Sequence, residues 1–137
     1  MTNQLELCLS NRRTEIARAQ DELEKFAAQC AFPERPLHDV QLALEEHLTN
    51  IIRYAHQDEQ EHRIQVRCSW IQPELRIEIE DDGRPFNPLD HPIPNLSLPL
   101  DQRPIGGLGI YMIRKSLDHV EYCREHQRNR LVMIKRA

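Results

Sequence analysis

Two runs in the middle of the chain, "HRIQVRCSWI" and "ELRIEIEDD", carry apolar residues at every second position and are joined only by Gln72 and Pro73. Ile64, Val66, Cys68 and Trp70 alternate through the first, and Leu75, Ile77 and Ile79 through the second. Successive strand side chains point to opposite faces, so each run makes one apolar and one polar face. The short join predicts an antiparallel hairpin. Its apolar face needs a covering layer, and that requirement limits the architecture.

The cover is helical. "SNRRTEIARAQDELEKFAAQC" places Ile16, Ala19, Leu23, Phe26 and Ala27 at helical spacing, with Ser10 or Asn11 as N-cap. "AFPERP" ends that helix, because proline cannot continue it. A second helix is predicted from about Leu37 to Tyr54. Val40, Leu44, Leu48, Ile51, Ile52 and Ala55 form its apolar stripe. "NQLELCL" alternates as an opening strand, and "VEYCREH" and "NRLVMIKRA" read as two closing strands. The fold class is therefore α/β, an α+β two-layer sandwich with a mixed, mainly antiparallel sheet and helices packed on one face.

Composition narrows the function. A chain of 137 residues suits one domain, 1–137, rather than two. A formal charge of −4 without a basic block argues against nucleic acid. No apolar run reaches the roughly 18 residues that span a bilayer. The N-terminal residues lack a signal-peptide layout, so the expected location is cytoplasmic, away from membranes. Cys8, Cys30, Cys68 and Cys123 stand singly, which favours buried thiols over a metal or disulfide set.

Three features carry chemistry. Glu46 and Asn50 sit one helical turn apart at the edge of the second helix's apolar stripe. Alone, such a pair is a solvated face. The strand "ELRIEIEDD" ends in Asp81, Asp82 and Gly83, an acidic turn when taken alone. Between that point and "GGLGIYMIRK" lie more than twenty residues with six prolines and no period, the kind of segment that serves as a lid or binding loop. Its glycines lead into a helix, whose N-terminus offers free N–H groups to phosphate. His47 and His56 read as packing or surface histidines.

In this order the three features resemble the GHKL ATP-binding superfamily of gyrase, histidine kinases and MutL. Within it they resemble the anti-sigma factor serine-protein kinases, along essentially the whole chain. "LEEHLTNIIRYAH" is similar to the N-box, "DDGRPFNP" to the first glycine box and "IGGLGIYMIRKSLDHVEY" to the second. The resemblance implies the Bergerat fold with a long ATP lid at about 84–106, and ATP with Mg²⁺ as cofactors. It implies Glu46 as general base and Asn50 as Mg²⁺ ligand. Asp81 would accept from the adenine amino group, and Gly83 would admit the backbone to the base. Gly107, Leu108 and Gly109 would offer N–H groups to the phosphates, with Arg84 or Arg103 reaching a phosphate from the lid.

The function it implies is a cytoplasmic serine/threonine protein kinase acting as an anti-sigma factor. Such a protein binds a sigma factor, phosphorylates an anti-anti-sigma (STAS-domain) antagonist and forms a homodimer. A non-catalytic ATP-binding module that sequesters a partner is the alternative, and an ATPase without protein substrate a third reading. Two departures stand out. Tyr54, Ala55 and His56 reverse the residue types that often end the N-box. The last strand lacks the threonine many members place near the nucleotide, leaving Arg130 or Val132 there.

Overall fold

The computed structural model describes residues 3–90 and 113–137. In chain order these form β1 (Gln4–Ser10), α1 (Thr14–Gln29), α2 (Glu34–Tyr54), β2 (Arg63–Ile71), β3 (Glu74–Asp81), a 3-10 turn (Pro88–Asp90), β4 (His119–Glu125) and β5 (Arg128–Arg136). Residues 113–116 are helical. The strands make one five-stranded sheet in the order β1-β2-β3-β5-β4, and every neighbouring pair is antiparallel. The expected sheet and helical cover are thus present, with no parallel pair among the described strands.

Both helix starts differ from the sequence expectation. Helix α1 begins at Thr14 behind Arg13, which makes no side-chain cap. Ser10 stays in β1, where its N–H donates to Glu15 Oε1 at 3.1 Å. Asn11 instead accepts from the His62 N–H at 2.9 Å, tying the end of β1 to the segment before β2. Helix α2 begins at Glu34, three residues earlier than expected, because Pro33 is extended and its carbonyl accepts from Leu37 at 3.1 Å. Pro36 fits inside that first turn, where backbone N–H groups have no helical partner to lose.

The core lies between the helices and one sheet face. Ile64, Val66 and Cys68 of β2, Leu75, Ile77 and Ile79 of β3, and Leu131 and Met133 of β5 are buried there. They meet Ala19, Leu23 and Phe26 of α1 and Val40, Leu44, Leu48 and Ile51 of α2. Trp70 is partly buried and meets the Phe32 ring edge-on, centroids 5.5 Å apart. The opposite face carries ion pairs, among them Arg130–Glu78 at 3.4 Å and Arg128–Glu80 at 3.5 Å. Lys135 joins the layers, reaching Asp39 of α2 at 3.2 Å and the Ser116 carbonyl at 2.6 Å. Among the described residues no helix is long and apolar enough to cross a membrane.

Neighbours on opposite faces of β3 should therefore respond differently. Ile79→Ala leaves a cavity and is expected to cost about 2–5 kcal/mol in urea unfolding. Glu78→Ala breaks outer-face ion pairs and is expected to cost about 1 kcal/mol or less. Equal costs would contradict this assignment of faces.

Candidate functional site

Strand periodicity carries one acid into the core. Asp81 follows Leu75, Ile77 and Ile79 in phase, so its carboxylate lies on the helix-covered face and is only 3% exposed. Burial pushes its pKa above the usual carboxylate range, while bonds from the Gly83 N–H and the Asn129 amide pull it back. Both donate to Asp81 Oδ2, at 2.9 Å and 3.2 Å. A buried carboxylate needs such donors, because water cannot supply them.

Asn129 is the residue that the sequence reading missed. It lies opposite Asp81 in the β3–β5 register, in phase with Leu131 and Met133 on the inner face. Its amide also donates to the Arg84 carbonyl at 2.9 Å and approaches the Gly83 carbonyl at 3.3 Å. Its oxygen accepts from the Tyr122 hydroxyl and from Arg124 at 3.1 Å. Arg124 in turn donates to the Gly83 carbonyl at 2.7 Å. Arg130 and Val132, expected in the place of the family's threonine, both lie on the outer face, away from Asp81. Arg130 pairs with Glu78 on the outer face, and Val132 lies opposite Glu78 rather than Asp81. A polar residue in phase with a core alternation was the available signal.

Gly83 is required for packing. A Cβ there would meet Ala55 Cβ at 2.4 Å and the Ala55 carbonyl at 2.8 Å, closer than real Cβ atoms come. The Arg84 N–H donates to that same carbonyl at 3.0 Å, fastening the turn after β3 to the end of α2.

Glu46 and Asn50, one turn apart on α2, line different hollows. Half-buried Glu46 borders a hollow of about 350 Å³ with Leu42, Thr49, Arg53, Ile113 and Ser116. Asn50 borders a second hollow with His47, Tyr54, Asp81, Arg84 and Asn129. That hollow holds about 10 Å³, at the lower limit for a single water. Two buried atoms at its wall, Asn50 Nδ2 and His47 Nδ1, have no hydrogen-bond partner among the described residues. Unpaired buried polar atoms are uncommon and costly, and a bound group is one way to satisfy them. Exposed Tyr54 and Arg84, with half-buried Phe86, close this hollow toward the surface side of its lining. Arg103, Gly107, Leu108 and Gly109, with most of the lid at 84–106, lie outside the described residues.

The model of the histidine kinase-like ATPase domain matches residues 9–135. The chain belongs to that family. Among curated relatives of this chain, the serine-protein kinase RsbW of Bacillus velezensis is 27% identical over 104 residues, 72% of this chain and 64% of the relative. RsbW of Listeria monocytogenes is 24% identical over 108 residues, 72% of this chain and 66% of the relative. This chain thus spans about two thirds of the length of the relatives it matches. The RsbU and RsbW domains of a Mycobacterium tuberculosis protein superpose with TM-score 0.70 at 13% identity, covering 98% of this chain and 32% of that one. A blue-light activated histidine kinase of Erythrobacter litoralis superposes at 0.57 and 16% identity, covering 90% of this chain and 59% of that one. These two likenesses concern the fold, the GHKL architecture expected from the sequence.

Two outcomes test this geometry. Gly83→Ala is expected to lower stability by about 1–3 kcal/mol, because Ala55 must yield. A substitution without cost would remove the packing argument. Buried His47 takes a proton near pH 4 rather than 6.5. Between those values the unfolded chain binds more protons, so stability falls as pH drops through that window, by ~3 kcal/mol from this group. His47→Leu should flatten the fall over the same range in urea titrations, and an unchanged slope would show that His47 does not cause it.

Proposed function

We propose that this chain is an ATP- and Mg²⁺-dependent serine/threonine protein kinase of the anti-sigma type. Its substrate would be a serine of an anti-anti-sigma STAS-domain protein, and its other partner a sigma factor. It would act as a homodimer in the cytoplasm. The observation that carries the reading is the buried Asp81 carboxylate, braced by Gly83 and Asn129 and facing the unpartnered amide of Asn50 across one hollow. Resemblance to the RsbW kinases supports the choice of reaction.

The donor set fits the cofactors. Asp81 presents a fixed acceptor at the sheet end, the type of group that recognises an exocyclic amino group. The Asn50 amide, turned so that its oxygen rather than the unpartnered nitrogen faces the hollow, would supply a neutral ligand to a hard cation. Bound ATP supplies the transferable phosphoryl group. Glu46, one turn before Asn50 and open to the wider hollow, accepts the proton of the substrate hydroxyl. Tyr54, Arg84 and Phe86 must open the inner hollow before a base enters, so binding and side-chain movement are coupled.

Tyr54, the departure from the N-box pattern that lines this hollow, favours a second reading, a non-catalytic module that holds ATP as a structural ligand and works by sequestering its partner. Phosphotransfer from labelled ATP to a STAS-domain protein separates the two. Glu46→Gln is expected to reduce transfer by about 10²–10⁴-fold with ATP binding retained. Asp81→Asn is expected to weaken ATP binding about tenfold or more while the protein stays folded, because it removes a charged hydrogen-bond acceptor. Bound ATP without transfer by the unaltered protein would select the sequestering module.

A further inference from the structure

Beside the nucleotide hollow, on the far side of the Asp81–Gly83 turn, lies a cluster that the proposed kinase chemistry does not use. His56 follows α2, His62 precedes β2 and Asp82 follows β3. One ligand atom from each lies within 4.8 Å of the others. His56 Nε2 is 3.2 Å from Asp82 Oδ1, and His62 Nδ1 is 3.9 Å from the same oxygen. Ligand atoms sharing a tetrahedral ion at the usual Zn–N and Zn–O lengths stand about 3.3 Å apart. The His56–Asp82 separation matches that value and the His62–Asp82 separation is wider, so the two imidazole rings must turn substantially to bring both lone pairs onto one ion.

The second nitrogen of His62 strengthens the case. Its Nε2 meets Asp58 Oδ1 at 2.7 Å. Asp58 can only accept when ionised, so a neutral His62 carries its proton on Nε2 and presents the Nδ1 lone pair to the cluster. A carboxylate holding the far nitrogen of a ligating histidine is the usual outer arrangement of a zinc site. The rings of His56 and His62 stack parallel, centroids 3.4 Å apart. Both histidine side chains are largely shielded, at 13% and 18% exposure, while Asp82 and Asp58 are half exposed and open an entry path.

We propose that His56, His62 and Asp82 form a Zn²⁺ site, with Asp58 orienting His62 and water in the fourth position. Two imidazoles select zinc over magnesium or calcium, which prefer oxygen ligands. Nitrogen lone pairs lie in the ring plane, so both rings tilt out of their stack to share the ion. Binding ties three chain segments together at the point where the α2 end meets the β3 turn. The ion would thereby hold the wall of the nucleotide hollow formed by Ala55 and Asp81. This assignment is independent of whether the chain transfers phosphate.

Zn²⁺ alone is titrated calorimetrically into the full chain in a non-chelating buffer at neutral pH. Co²⁺ is added in parallel and read by absorption. One equivalent of Zn²⁺ is expected, with Co²⁺ ligand-field bands and no thiolate charge-transfer band. Asp82→Asn and His62→Gln should abolish that binding, and Asp58→Asn should weaken it about 10–100-fold. A double replacement of the exposed thiols, Cys8→Ser with Cys123→Ser, should leave it unchanged. Circular dichroism of each metal-free variant checks folding. Asp82 is exposed, so its variant tests the site even where a histidine variant unfolds. No binding, binding unchanged in Asp82→Asn, or a thiolate band would each overturn the assignment.

Discussion

The close contact between Gly83 and Ala55 holds the candidate site together. A helix end and a strand end meet there with no space for a Cβ, and the Arg84 N–H to Ala55 carbonyl bond locks the meeting point. Asp81 lies two residues to one side, inside the core, and Asp82 faces the other way toward His56 and His62. One turn thus directs two adjacent carboxylates into different environments. The inner one is desolvated and braced by amides. The outer one is half exposed beside imidazoles. Their chemistry differs because strand alternation and the turn after β3 point them apart.

Conflict between stability and binding runs through this region. A buried carboxylate with raised pKa, a buried neutral histidine and an unpartnered amide each cost folding free energy, yet all line or adjoin one hollow. A core chosen for stability alone would fill these positions with apolar residues. Their concentration at the edge of α2, rather than scattered through the sheet, is the physical sign of a site. Asn129 moderates the cost by serving the Asp81 carboxylate, the backbone of the 83–84 turn and Tyr122 with one side chain.

The alternation from Ile64 to Ile79, the helical stripe from Val40 to Ala55 and the order of the strand-like runs were sufficient for the sheet and its helical cover, because each rests on short-range periodicity, which one sequence displays. The family was legible by a different route, the resemblance of three motifs in order, which the match over residues 9–135 bears out. Helix starts were less legible: Ser10 and Asn11 have cap chemistry, but β1 and the His62 backbone claim them instead. Pro36 looked like a helix breaker and proved compatible with a first turn.

The sequence alone determined that Glu46 and Asn50 lie one turn apart on a helix, and that a strand ends in an acid followed by glycine. Only the tertiary structure decided that those two helical residues border different hollows, because α2 sits with Asn50 toward the sheet and Glu46 toward residues 113–116. The β3–β5 register likewise decided that Asn129, not Arg130 or Val132, meets Asp81, since a one-residue step reverses the face on which a side chain lies. The grouping of His56, His62 and Asp82 depends on three chain segments converging, and no local spacing encodes that convergence.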